Sequence, residues 1–146
     1  MIKNPKIALV RAPYRKHIID MLDGAIRDEL STISASIESF DVHGAFEIPV
    51  LISMLEKSEK DFDAYITMGC ILKGETIHDE VIAYPVYEAL NKMQIDQNIV
   101  IGNAILTTNT IEQAEDRADP NRQNRGAEAV KAALNLLTHK HDLGLY

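Results

Sequence analysis

The stretch Gly69-Cys70-Ile71-Leu72-Lys73-Gly74-Glu75-Thr76-Ile77-His78 concentrates groups that a plain connector does not need. His78 brings an imidazole, which can take or give a proton near neutral pH; its bland alternative is a surface side chain early in a helix. Glu75, Thr76 and the amides around them stand where a helix should begin. Orphan N–H groups and the helix dipole at such a start can hold a phosphate. Glu47 follows Phe46 and precedes Ile48-Pro49, so its carboxylate reads either as a ligand group or as a helix-start charge stabilised by the dipole. Tyr14 and Phe46 can stack on a planar heterocycle or fill a core. Arg117 and Arg125, with Arg122 nearby, read as solvated helix residues or as guanidinium forks for phosphate oxygens. Cys70 has no neighbour that would depress a thiol pKa and reads as a small buried filler. His139 and His141 lack a third partner for a metal.

These groups need elements to position them. Lys6 to Val10 reads as a first strand, and Pro13 blocks its continuation. Ile18, Ile19, Leu22, Ala25, Ile26 and Leu30 recur at helical spacing, which predicts a helix over 15–30. Ser34 to Val42 reads as strand two and 43–47 as a turn. A second helix opens at Ile48-Pro49, where proline is tolerated, and runs to Lys60. Strand three is Ala64 to Met68, followed by the polar turn and a helix from Val81 to Ile95 with Pro85 near its first turn. Asn98 to Ile105 reads as strand four. Thr110 can cap a short helix from Ile111, and a last helix spans 126–140. Strands alternating with helices predict one α/β domain over 1–146, a parallel sheet covered on both faces. The strand ends bearing Tyr14, Glu47 and the glycine-rich turn then share one edge, where ligands bind in such sheets.

Composition narrows the function. The chain has 146 residues, 46% of them apolar and 25% charged, as in a globular domain. Its formal charge of −7 argues against a nucleic-acid partner. No apolar run is long enough for a membrane helix, and the N-terminal residues lack a signal-peptide layout. With Cys70 as the one cysteine, a reducing, cytoplasmic setting is expected. Gly69-x4-Gly74-Glu75-Thr76 has P-loop glycine spacing without the lysine, and neither a dinucleotide fingerprint nor a Gly-x-Ser-x-Gly elbow is present.

Taken together, four segments resemble one family. They are Gly44-Ala45-Phe46-Glu47-Ile48-Pro49, Gly69-x-Ile71-x-Lys73-Gly74-Glu75-Thr76-x-His78, Ile105-Leu106-Thr107 with Glu112-Gln113-Ala114-x-x-Arg117, and Asn124-Arg125-Gly126. In this order and spacing they resemble 6,7-dimethyl-8-ribityllumazine synthases, from Lys6 to about Leu137. The resemblance implies a flavodoxin-like three-layer α/β/α sandwich with a central four-stranded parallel sheet. It implies pentamers, which in some assemblies double or close into shells, with sites between neighbouring subunits. The implied reaction condenses 5-amino-6-(D-ribitylamino)uracil with 3,4-dihydroxy-2-butanone 4-phosphate, a step of riboflavin biosynthesis, with no metal or organic cofactor. Carried over by position, His78 moves protons. Glu75 and Thr76 hold the phosphate, and Arg117 neutralises it from a neighbouring subunit. Tyr14 stacks on the pyrimidine. Ala45, Phe46 and Glu47 bind the ribityl chain, and Cys70, Ile71 and Leu72 read the uracil edge. Asn103 stands near the ring on the partner subunit, and Arg125 stands where lysine is usual.

The chain departs from the family pattern at several of these places. Pro13-Tyr14-Arg15 replaces the usual Arg-Phe-Asn, so Tyr14 keeps a stacking face and adds a hydroxyl. Asn103 replaces an aromatic found in many members, and His43 replaces a common proline. These departures define a second reading, a lumazine- or flavin-binding paralogue or shell protein with weak catalysis.

Overall fold

The four central residues of β1, Lys6–Arg11, are all buried. A strand wet on one side would alternate; this one does not, because helices cover both faces of its sheet. The computed structural model describes residues 2–146. Its order is β1, α1 (Lys16–Leu30), β2 (Ser36–Asp41), a single 3-10 turn (Ala45–Glu47), α2 (Ile48–Glu56), β3 (Ala64–Leu72), α3 (His78–Gln97), β4 (Ile101–Thr108), α4 (Ile111–Ala118) and α5 (Arg125–Asp142).

The four strands are parallel, in the order β2-β1-β3-β4. Successive side chains point to opposite faces, which divides the core in two. Ile7, Leu9, Ile66, Met68, Ala104 and Leu106 face α1, α4 and α5 through Ile18, Leu22, Ala114, Val130 and Leu137. Ala8, Val10, Tyr65, Ile101 and Ile105 face α2 and α3 through Ile48, Ile52, Ala83, Val86 and Leu90. This is the three-layer α/β/α sandwich expected from the alternation of elements.

Several boundaries differ from expectation, each for a local reason. β3 does not stop at Met68. It runs to Leu72 because β4 continues beside it, with Gly69 opposite Ile105 and Leu72 opposite Thr108. β4 begins at Ile101 rather than Asn98, since Asn98 takes the left-handed conformation (φ 55°) that ends α3. β2 is trimmed to 36–41, and α2 stops at Glu56 instead of Lys60. α3 starts at His78, three residues before Val81. Its first turn is polar, and Asp79 and Glu80 there suit the dipole. Pro85 therefore lies inside α3. It has no N–H to offer the Val81 carbonyl, but both residues are exposed and water can serve that oxygen. Thr110 caps α4 as expected, its side chain accepting from the Gln113 N–H at 3.2 Å.

Candidate active site

The carboxyl ends of β1 and β3 are fastened before they release their loops. The Ala12 N–H donates to the Met68 carbonyl at 2.9 Å, and the Val42 N–H to the Arg11 carbonyl at 2.8 Å. Arg11 grips Asp41 with two donors, Nε at 2.7 Å and Nη2 at 3.1 Å, and reaches Asp23 at 3.3 Å. Desolvation opposes these partners, yet the Asp41 hydrogen bond leads and the guanidinium pKa is raised. Beyond this knot, Tyr14 projects with 80% of its surface exposed. The turn after β2 is closed by the Glu47 N–H on the Gly44 carbonyl and by the Gly44 N–H on the Glu47 carboxylate, both at 3.1 Å. It presents Phe46, 55% exposed.

These ends enclose a cleft of about 320 Å³, within the size of small-molecule sites. Its walls are Tyr14, Arg15, Ala45 and Phe46 on one side and His78, Asp79 and Ile82 on the other, over a floor of Cys70, Ile71 and Leu72. Thr76 turns back on the helix start, its hydroxyl accepting from the His78 N–H at 3.2 Å. On the floor, burial pushes the Cys70 thiol pKa up, and the nearby Arg15 charge opposes this. A slightly larger groove, about 370 Å³, lies between the far ends of α3 and α5. Ile95, Leu136, Leu143 and Leu145 make its rim largely apolar, and it sits away from the carboxyl ends where ligands bind in parallel sheets.

Seven of the residues singled out in the sequence line this one cleft: Tyr14, Ala45, Phe46, Cys70, Ile71, Leu72 and His78. Glu75 and Thr76 lie exposed just before α3. The Glu47 carboxylate is bound to its own turn. Asn103, Arg117 and Arg125 are elsewhere. Asn103 lines a separate hollow beside Tyr87 and Gln94, its Oδ1 accepting from the buried Thr67 hydroxyl at 2.7 Å. Arg117 donates to the Gln113 carbonyl at 3.1 Å within α4, and Arg125 to Gln123 at 3.2 Å. Both helices cover the opposite face of the sheet from α3. Arg15, which the sequence placed beside Tyr14 at a converging strand end, is also a wall of the cleft; Asp79 and Ile82 were missed, and a helix begun at His78 would have exposed them, at one and four residues further on.

Chemically the cleft offers two aromatic faces, backbone of a strand end, an imidazole and a guanidinium. That set suits a planar polar ligand undergoing proton transfer. The sequence profile of 6,7-dimethyl-8-ribityllumazine synthase matches residues 4–141. The 6,7-dimethyl-8-ribityllumazine synthase of Bartonella tribocorum is 36% identical over 99% of this chain and 95% of its own length. That of Sphingopyxis alaskensis is 37% identical over 95% of this chain and 97% of its own. The Novosphingobium aromaticivorans protein of the same name is 38% identical over 90% and 94%. With a profile match over nearly the whole chain and relatives aligned end to end, the chain belongs to the 6,7-dimethyl-8-ribityllumazine synthase family.

Proposed function

We propose that the chain is a 6,7-dimethyl-8-ribityllumazine synthase, a transferase of riboflavin biosynthesis. It condenses 5-amino-6-(D-ribitylamino)uracil with 3,4-dihydroxy-2-butanone 4-phosphate and releases phosphate and water. The observation that carries this reading is the convergence of Tyr14, Phe46, the 70–72 strand end and His78 on one cleft. In this reading Tyr14 stacks on the pyrimidine, and the 70–72 backbone meets its polar edge. The 45–47 turn receives the ribityl chain. The amine and ketone are already reactive, so holding them together supplies much of the rate. His78 moves the protons as the Schiff base forms and phosphate departs. Glu75 and Thr76 hold the phosphate at the start of α3. No metal or organic cofactor takes part.

In the family reading Arg117 reaches a neighbour's cleft and Asn103 stands near the ring there, and none of Asn103, Arg117 and Arg125 lines the cleft of its own chain. Such a site works only in a cyclic assembly, and a pentamer is the proposed unit, in the cytoplasm. Exposed apolar side chains at the start of α3 support assembly: Ile77, just before the helix, Val81 and Tyr84 are 69, 52 and 71% exposed. The relatives' shared name disfavours the weakly catalytic paralogue. The deciding assay mixes protein with both substrates and follows lumazine formation above the uncatalysed rate. Clear protein-dependent turnover is expected. A rate equal to background, with lumazine still bound, would overturn the synthase in favour of a binding protein.

A further inference from the structure

The described residues include six arginines, and their partners set one apart. Arg11 is held by Asp41 and Asp23, Arg27 by Asp23 and Ser39, Arg117 by the Gln113 carbonyl, Arg122 by Asp116 and Asp119, and Arg125 by Gln123. Among the described residues Arg15 has neither a hydrogen-bond acceptor nor a carboxylate for its guanidinium. It is nevertheless half-buried and forms part of the cleft wall. Its guanidinium carbon lies 5.9 Å from the centre of the Tyr14 ring, a cation–π arrangement that restrains it at the mouth. Its charge is felt by the Cys70 thiol on the floor.

A guanidinium on a cleft wall with no carboxylate or carbonyl partner in its own chain keeps its donors free for a ligand. An oxygen-rich anion is the ligand whose geometry matches such a fork. Resting on the synthase reading, the needs of the two substrates can be matched to what the cleft holds. The aminouracil is neutral and finds aromatic faces and strand backbone. The phosphate is the one strongly charged substrate group. Arg117 lies on the opposite helical layer of the same chain, so within its own chain the cleft has Arg15 as its unpaired guanidinium.

We propose that Arg15 is a phosphate-binding residue, the chain's own cation for the phosphorylated four-carbon substrate. Its backbone is engaged separately, since the Arg15 carbonyl accepts from the Ile18 and Ile19 N–H groups, both at 3.1 Å, at the start of α1. Exchanging the side chain therefore leaves these helix-start bonds in place.

The test compares the parent with Arg15→Gln and Arg15→Lys in the assembled protein. For Arg15→Gln the KM for the butanone phosphate should rise about tenfold, the loss expected for a charged hydrogen bond. The KM for the ribitylaminouracil and kcat should hardly change, and Arg15→Lys should recover part of the loss. An unchanged phosphate-substrate KM, or a rise confined to the ribitylaminouracil, overturns the assignment. The same variants are titrated with inorganic phosphate by calorimetry, a readout that needs no turnover. If the parent binds phosphate and Arg15→Gln binds it about tenfold more weakly, Arg15 stands even should the synthase reading fail. Equal phosphate affinity in parent and variant removes the role whatever the turnover assay gives.

Discussion

At Gly102 the backbone of α5 packs directly over β4, and Gly102→Ala should be among the most damaging single-methyl changes in this chain. A Cβ built there would lie 2.3 Å from the Ala129 carbonyl oxygen and 2.7 Å from Ile66 Cδ1. Carbon–oxygen contacts normally begin near about 3.3 Å, so α5 would have to withdraw by roughly 1 Å. The obstacle is backbone and cannot be relieved by a rotamer change. Ala129, Val130, Ala133 and Leu137 are all buried against the same face. A gap of that size forfeits a quarter to a half of the dispersion energy of each contact it opens. Overpacking of this kind costs about 3 kcal/mol, of which Ala returns about 0.5 kcal/mol by stiffening the unfolded chain. The control is Gly69→Ala, whose new methyl would sit 3.6 Å from Ile105 and 3.7 Å from the Ala45 Cβ, in ordinary contact. Urea denaturation followed by circular dichroism, at one fixed protein concentration, should put the Gly102→Ala midpoint about 1 M below the parent. Gly69→Ala should stay close to the parent. Equal midpoints for parent and Gly102→Ala would refute the account of a backbone-limited contact.

Two further outcomes follow from single side chains. His78→Ala should lower kcat by roughly 10²-fold while both KM values hold; kcat equal to the parent's would take proton transfer away from His78. Tyr65 reports on alkaline stability. Burial, then the hydrogen bond its hydroxyl donates to Glu56, raise its pKa far above the usual tyrosine value. A raised pKa contributes stability that is complete below about pH 10 and lost as pH climbs beyond it. Tyr65→Phe should therefore flatten the alkaline fall in unfolding free energy above that pH, and an unaltered fall would place its cause in other groups.

How far the sequence revealed this molecule depends on which physical signal each residue left. β1 and α1 were legible because burial imposes a pattern on them. β1 is apolar throughout where two helical layers cover it, and α1 repeats its apolar face at Ile18, Ile19, Leu22, Ile26 and Leu30. The first turn of α3 left no such pattern. His78, Asp79 and Glu80 are polar, and their reason for being helical is electrostatic and local: the Thr76 hydroxyl on the His78 N–H and acidic side chains at the dipole's positive end. That one boundary hid two wall residues, since Asp79 and Ile82 enter the cleft only if the helical phase starts at His78. Gly69 misled in the opposite direction. Glycine punctuates most local patterns, yet here β4 supplies a parallel partner and the strand continues to Leu72. The convergence of Tyr14, Phe46, Cys70 and His78 was legible despite these slips, because it follows from topology alone: parallel strands release their loops at one edge. Arg15 illustrates what topology does not carry. Its position was clear from the sequence, but its meaning depends on every other arginine having a partner, which only the folded chain can report. Asn103, Arg117 and Arg125 mark a different boundary. They lie outside the chain's own cleft, so the roles that the family resemblance implies for them are not ones that the fold of a single chain positions.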